Sequence, residues 1–285
     1  MRHIVQPGHP LPERIQWVEA RGKLFSFTMQ AGLPLLEAAR RGFAHEGFVS
    51  GVLNFRRGAV GPFAYVMPAL SKTAEHAAFY SETFRPQGIT ALTSGAMTFG
   101  IRDGMPFFHC HALWTEAEGK QGGGHILPEE TMVAAPFVVE AFGIEGALFA
   151  AEPDPETNFK LFGPLPSSPL TVDTPSRAFA LRLRPNQDLS IVLENFCRER
   201  GISRARLRGG VGSIIGAHFS DGRTVEPFAT EMLVRSGLVR LDDKGELRAE
   251  LDVALVDHTG DLSEGRLMRG DNPILMTMEM VLEEA

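Results

Sequence analysis

Apolar and polar positions alternate along Lys23-Leu24-Phe25-Ser26-Phe27-Thr28-Met29, and again along Ala178-Phe179-Ala180-Leu181-Arg182-Leu183. A period of two residues is the mark of a strand with one face turned inward. Each run is followed by a turn and an amphipathic helix, near residues 33–46 and 188–200. In the second helix Leu189, Val192, Leu193, Phe196 and Cys197 recur at i, i+3, i+4, i+7 and i+8, a stripe that buries one face. Asn186 and Asp188 stand before it as candidate caps.

The order continues in parallel. Gly47 or Gly201 ends the helix, a strand follows (Phe48 to Phe55; Ile202 to Leu207), and then glycine-rich turns, Gly58-Ala59-Val60-Gly61 and Gly209-Gly210-Val211-Gly212. Ser94-Gly95 matches Ser236-Gly237, and Asp103-Gly104 matches Lys244-Gly245, each a turn signal between alternating apolar runs. The chain therefore reads as an internal repeat, with extra residues in the first copy around Met67 to Gly88. The expected organisation is a first domain over 1–162, a Pro- and Ser-rich linker over 163–175, and a second domain over 176–285. One principal helix and many strands per copy predict an α+β class, two similar domains each built mainly on an antiparallel sheet.

Composition narrows the class further. The 285 residues are 44% hydrophobic and 22% charged, globular values that exclude a disordered or collagenous chain. Net charge is -7, from 28 Lys+Arg and 35 Asp+Glu, which disfavours a dedicated nucleic-acid coat. Two cysteines, Cys110 and Cys197, give no disulfide framework and fit a reducing compartment. The most apolar window, Met132 to Val139, is far shorter than the roughly 20 residues a spanning helix needs, so a soluble, cytoplasmic protein is expected, with no membrane partner.

Candidate chemistry is concentrated in Phe108-His109-Cys110-His111-Ala112-Leu113-Trp114 and in Gly122-Gly123-Gly124-His125. On a strand His109 and His111 share a face and Cys110 takes the other, where it reads as a small core residue. The glycine triplet leaves room for a tight return that brings His125 to the same face. Three imidazoles converging on one point suit a divalent transition metal, zinc first, with a coordination position left open. The HxH pair is equally compatible with two polar residues on a solvated strand face. His3, His9, His45, His76, His218 and His258 have no such company and read as surface or hydrogen-bonded residues.

At these residues the chain resembles the plants-and-prokaryotes conserved domain (PPC or PCC), which accompanies AT-hooks in plant nuclear proteins. The similarity lies in His109-Cys110-His111, the acidic turn Glu116-Ala117-Glu118-Gly119, and Gly123-Gly124-His125. Glu140 in an apolar strand adds to it, as does Asp154-Pro155-Glu156-Thr157-Asn158, similar to an acidic DxxTG tail with Asn in place of Gly. In the second copy Thr230-Glu231-Met232-Leu233-Val234-Arg235-Ser236-Gly237 is similar to the domain's central strand. The resemblance implies a compact α/β domain assembling as trimers, a metal at the histidines in some members, and an influence on transcription in plant members. The Arg-Gly-Arg-Pro core of an AT-hook is missing, which weakens direct minor-groove reading.

Laid over the first copy, the second carries Glu250, Asp252 and Arg266 where the first has His109, His111 and His125. A three-histidine site cannot form there; an ion pair in which a guanidinium replaces the cation, or three solvated charges, can. Arg177, Arg182, Arg184, Arg198, Arg200, Arg204, Arg206 and Arg208 make an arginine-rich stretch, and Arg204, Arg206 and Arg208 alternate along one strand face as candidate phosphate contacts. The favoured reading is an oligomeric binding protein, DNA-associated or regulatory, with DNA or protein as partner and a homotrimer as the unit. The alternative is a metal-dependent enzyme acting on a small molecule, in which metal lowers the pKa of water or polarises a carbonyl and Glu116, Glu118, Glu129, Glu130 or Glu140 supplies the base. Neither a phosphate-binding Walker loop nor a GxSxG elbow occurs.

Overall fold

The computed structural model describes residues 2–168 and 174–285. The first half runs β1 (Ile15–Met29), α1 (Leu35–His45), β2 (Gly51–Phe55), β3 (Gly58–Val60), β4 (Tyr65–Val66), β5 (Pro68–Leu70), β6 (Ala78–Tyr80), β7 (Thr90–Arg102), β8 (Met105–Thr115), β9 (Gln121–Ile126), β10 (Val133–Ala135), β11 (Phe137–Glu145), β12 (Ala147–Pro153) and β13 (Lys160–Pro166). The second runs β14 (Ser176–Leu183), α2 (Leu189–Glu199), β15 (Arg204–His218), β16 (Thr224–Leu241), β17 (Leu247–Asp257), β18 (Leu262–Arg266) and β19 (Ile274–Glu284).

The α+β expectation is overturned: strand accounts for 58% and helix for 8%, so the protein is mainly β. The amphipathic helices do form, over 11 residues each. The predicted stripe of α2 is buried, and Asp188 caps it by accepting from the Ile191 N–H. In α1 Leu35, Ala38, Ala39 and Phe43 are buried. These two elements are outweighed because the alternating runs between them pair into one extended sheet, with long strands such as the 15-residue β15 and the 18-residue β16. Asn186 is not a cap; its side chain exchanges hydrogen bonds with the backbone of Ile4.

Antiparallel pairing runs β1–β11–β2–β7–β8–β9 in the first half and β14–β19–β15–β16–β17–β18 in the second. Within these ladders His111 lies opposite Ala96, and Asp252 opposite Ser236. That register sets Ser236 against Ala96 rather than Ser94, two residues away from the match drawn by the Ser-Gly turns. The expected linker is partly strand, since β13 pairs with β12 through Pro166; residues 169–173 of it lie outside the described residues.

Strand β1 ties the halves together. Its first part, Ile15 to Gly22, pairs with β14, and Arg21 to Met29 pairs with β11. Sheet faces also pack across the divide: Ala96 and Leu113 share a buried cluster with Val211, Leu233 and Ala254. Gly209 has φ +67, and a Cβ there would stand 2.5 Å from Val52, so its glycine allows both the left-handed turn and the close approach of the halves. Among the described residues no helix is long and apolar enough to cross a membrane.

Candidate metal centre

Strand alternation places His109 and His111 on the face of β8 turned toward the second half, while Cys110 is fully buried among Met97, Phe108 and Trp114 of the first-half core. Burial pushes the Cys110 thiol far up, away from nucleophile behaviour. His125 on β9 lies directly opposite His111. The return between the strands is made by the turn at Glu116–Lys120, where the Glu116 N–H donates to the Lys120 carbonyl. The glycine triplet is therefore not the turn but part of β9. Gly122 lies against the Trp114 ring and Gly123 against Leu262 and Val256 of the second half, positions where a Cβ would meet atoms at 2.7 to 3.2 Å.

One donor atom from each of His109, His111 and His125 lies within 4.8 Å of the others. The Met232 carbonyl accepts from His111 Nδ1 at 3.0 Å. A carbonyl has no proton to give, so this Nδ1 carries the hydrogen and Nε2 keeps the lone pair of the neutral ring. His109 Nδ1 faces Glu279 Oε2 at 2.9 Å, which orients its ring in the same sense. The two Nε2 atoms meet at 3.0 Å. His125 Nδ1 is buried without a hydrogen-bond partner among the described residues.

Two carboxylates from the second half complete the surroundings. Glu279 on β19 is fully buried and Glu231 on β16 is 6% exposed; among the described residues Glu279 Oε1 and Glu231 Oε2 have no hydrogen-bond partner. Glu231 Oε1 lies 4.0 Å from His111 Nε2. Desolvation drives the Glu231 carboxyl well above the usual carboxylate range, although the His125 backbone N–H opposes this. Burial, followed by the neighbouring imidazoles, holds His111 and His125 well below the ordinary histidine value. Neutral imidazoles, carboxylates without enough cations and orphaned buried acceptors together form a donor set that a divalent transition metal fits.

Residues from the segment between Met67 and Gly88 cover this site. They form the β5–β6 hairpin, from which Tyr80 packs against His125 with ring centroids 5.5 Å apart and against Phe159 at 5.7 Å. Although 36% of Tyr80 is exposed, its phenol is pushed far up by burial and by Glu231 and Glu279.

Other sequence candidates are elsewhere. Glu116 accepts from the Tyr65 hydroxyl, Glu130 pairs with Arg85 and Glu140 lies 3.6 Å from Arg208, while Glu118 and Glu129 are exposed. None of the five lines the cavities at the histidines. The carboxylates that do, Glu231 and Glu279, come from the other half. Their sequence signal is an isolated acid inside an apolar strand run, since such a residue is buried only when something compensates it.

Glu250 pairs with Arg266 at 3.2 Å and with Arg240 at 2.9 Å, whereas Asp252 pairs with Arg235 at 2.8 Å. Asp252 does not join Glu250 in facing Arg266, and all three line an open cleft of about 670 Å³. Arg204 and Arg206 are exposed on that side, and Arg208 is held by Glu283 at 2.7 Å. Arg182 and Arg184 are no surface cations: both are buried on Asp154, at 2.7 and 2.5 Å. In the Asp154–Asn158 turn Asn158 adopts φ 62, the left-handed conformation that glycine occupies without strain and asparagine tolerates.

A search of curated proteins gave no significant match. Among solved structures, a plant- and prokaryote-conserved (PPC) protein of Pyrococcus horikoshii is 20% identical, covering 52% of this chain and 96% of its own, with a TM-score of 0.41. A metal-containing protein of Archaeoglobus fulgidus is 19% identical, covering 50% of this chain and 94% of its own, with a TM-score of 0.39. Residues 171–285 match the family model of the Plants and Prokaryotes Conserved (PCC) domain, so the family match falls on the half that lacks the histidines.

Proposed function

We propose that this protein is a metal-binding protein made of two PCC-type copies, in which the first copy supplies three imidazoles and the second supplies the carboxylates that balance the ion. The observation that carries this reading is the 3.0 Å approach of His109 Nε2 to His111 Nε2, with the Nδ1 of each ring engaged by a carbonyl or carboxylate. Two lone pairs do not attract one another; a shared cation removes the conflict. A proton is the poorer solution because burial holds His111 against protonation. Zinc is the ion we favour, since three nitrogen donors at about 2.0–2.1 Å leave a fourth position for an outside ligand. The matching pairing orders of the two halves support the tandem-copy part of the proposal.

Elemental analysis of the purified full chain, after incubation with zinc and removal of free ion, tests the reading. About one equivalent is expected in the wild type, and loss of most of it in His111→Ala. Equal metal contents in the two proteins, or none in either, would sink it.

We further place the protein in a homotrimer that contacts an anionic macromolecule such as DNA. Exposed Leu24 and Val138 on one face of the β1–β11 ribbon support an assembly surface. Arg204 and Arg206 support phosphate contact, having no acidic side-chain partner among the described residues. A mass of 31.1 kDa persisting in light scattering at high concentration excludes the trimer. Duplex DNA binding that is absent at low salt, or unchanged in Arg204→Ala/Arg206→Ala, excludes the contact.

A further inference from the structure

The histidine cluster is not sealed on all sides. His109 and His125 form one wall of an open-mouthed cavity of about 280 Å³, lined elsewhere by residues that include Phe107, Leu127 and Phe162. Its lining is mostly aromatic and aliphatic, yet it holds two cations, Arg102 and Lys160, against one acid, Glu279, whose Oε2 is engaged by His109 Nδ1 at 2.9 Å. They are not equivalent. Lys160 is engaged by Asp103 at 2.5 Å, whereas Arg102 approaches the same carboxylate only to 4.0 Å and lies over the Phe107 ring at 5.1 Å. Arg102 therefore brings to the cavity mouth a guanidinium with five donors and no bidentate acceptor of its own.

Volume limits the occupant. Cavities for drug-sized molecules begin at about 300 Å³, so this one takes a smaller body, on the order of ten heavy atoms. The apolar wall favours a hydrophobic body over a hydrated ion, and the guanidinium favours a planar two-oxygen anion that it can grip bidentately. A metal held by the three imidazoles would keep a fourth coordination position for an outside ligand, such as one oxygen of that anion.

We propose that the cavity binds a small organic carboxylate with an apolar body, held between Arg102 and the metal at His109, His111 and His125. This rests on the metal reading above. It goes beyond that reading by assigning the ligand class and by giving Arg102 a role as the residue that selects for charge.

The test uses the full chain loaded with cobalt(II), whose visible spectrum reports changes in its ligands, and phenylacetate as the probe. Metal content is measured in every sample. Wild-type protein is expected to hold cobalt and to show a saturable spectral change with phenylacetate, but none with the neutral phenylacetamide. In Arg102→Ala the phenylacetate affinity should fall at least about tenfold while cobalt content stays unchanged. A cobalt-loaded wild type that ignores phenylacetate, or an Arg102→Ala variant that binds it equally well, overturns the inference and leaves the metal reading standing. A response to inorganic phosphate alone shows a simple oxyanion site and overturns the organic ligand. Failure of the wild type to hold cobalt defeats the metal reading, and the inference falls with it.

Discussion

Glu231 is costly to the protein unless something charged joins it. It is almost wholly buried, its Oε2 has no hydrogen-bond partner among the described residues, and its carboxyl is pushed up by desolvation. Without metal the folded state holds this proton to higher pH than the unfolded chain, which releases it near 4.5. The contribution of Glu231 to stability is then fully present below about pH 4.5 and is lost as pH rises through the folded value. Glu231→Gln removes that loss. In urea unfolding of metal-free protein the variant should gain on the wild type between pH 5 and pH 8, while its zinc affinity falls roughly 10- to 100-fold as expected for a carboxylate supporting the ligands. A variant less stable by the same amount at both pH values refutes this account. The pairing of His109 with His111 was legible at this scale because alternation depends only on the local backbone. The roles of Glu231 and Glu279 were not, because an acid in an apolar run says that compensation exists without saying by what.

Among the elements, the helices were legible from their stripes, as the burial of Leu189, Val192, Leu193, Phe196 and Cys197 shows. Their weight in the fold was not: helix periodicity is locally conspicuous, whereas short strands such as β3, β4 and β10 leave almost no pattern in two or three residues. The segment around Met67 to Gly88 is set apart in the sequence, but its placement over the histidines depends on packing of β6 with the Phe159 segment. From that placement follows a kinetic expectation. Tyr80→Ala should speed the release of zinc to an excess of chelator several-fold, because the ring against His125 is removed while all three imidazoles remain. Release at the wild-type rate would show that the hairpin does not guard the ion.

At the scale of the whole molecule, the halves share β1, a mixed apolar cluster and the candidate centre, so they have reason to unfold together. An ion that binds only the native state stabilises it by mass action, about 2.7 kcal/mol at a concentration 100 times Kd. Calorimetry should therefore show one transition moving upward with zinc. Two transitions, only one of them metal-dependent, would mean that the halves melt separately. The metal-free protein should also lose stability as pH falls below about 6.5, because the unfolded chain binds protons there that buried His111 and His125 refuse. The sequence by itself determined what depends on neighbours along the chain: the strand and helix periods and the common face of His109 and His111. Tertiary structure decided the predominance of sheet, the burial of Arg182 and Arg184 on Asp154, and the meeting of the histidines with Glu231 and Glu279. Glu231 and Glu279 lie more than a hundred residues from the histidines, and Asp154 lies 28 and 30 residues from its two arginines; no local period records which of two sheet faces another part of the chain will cover.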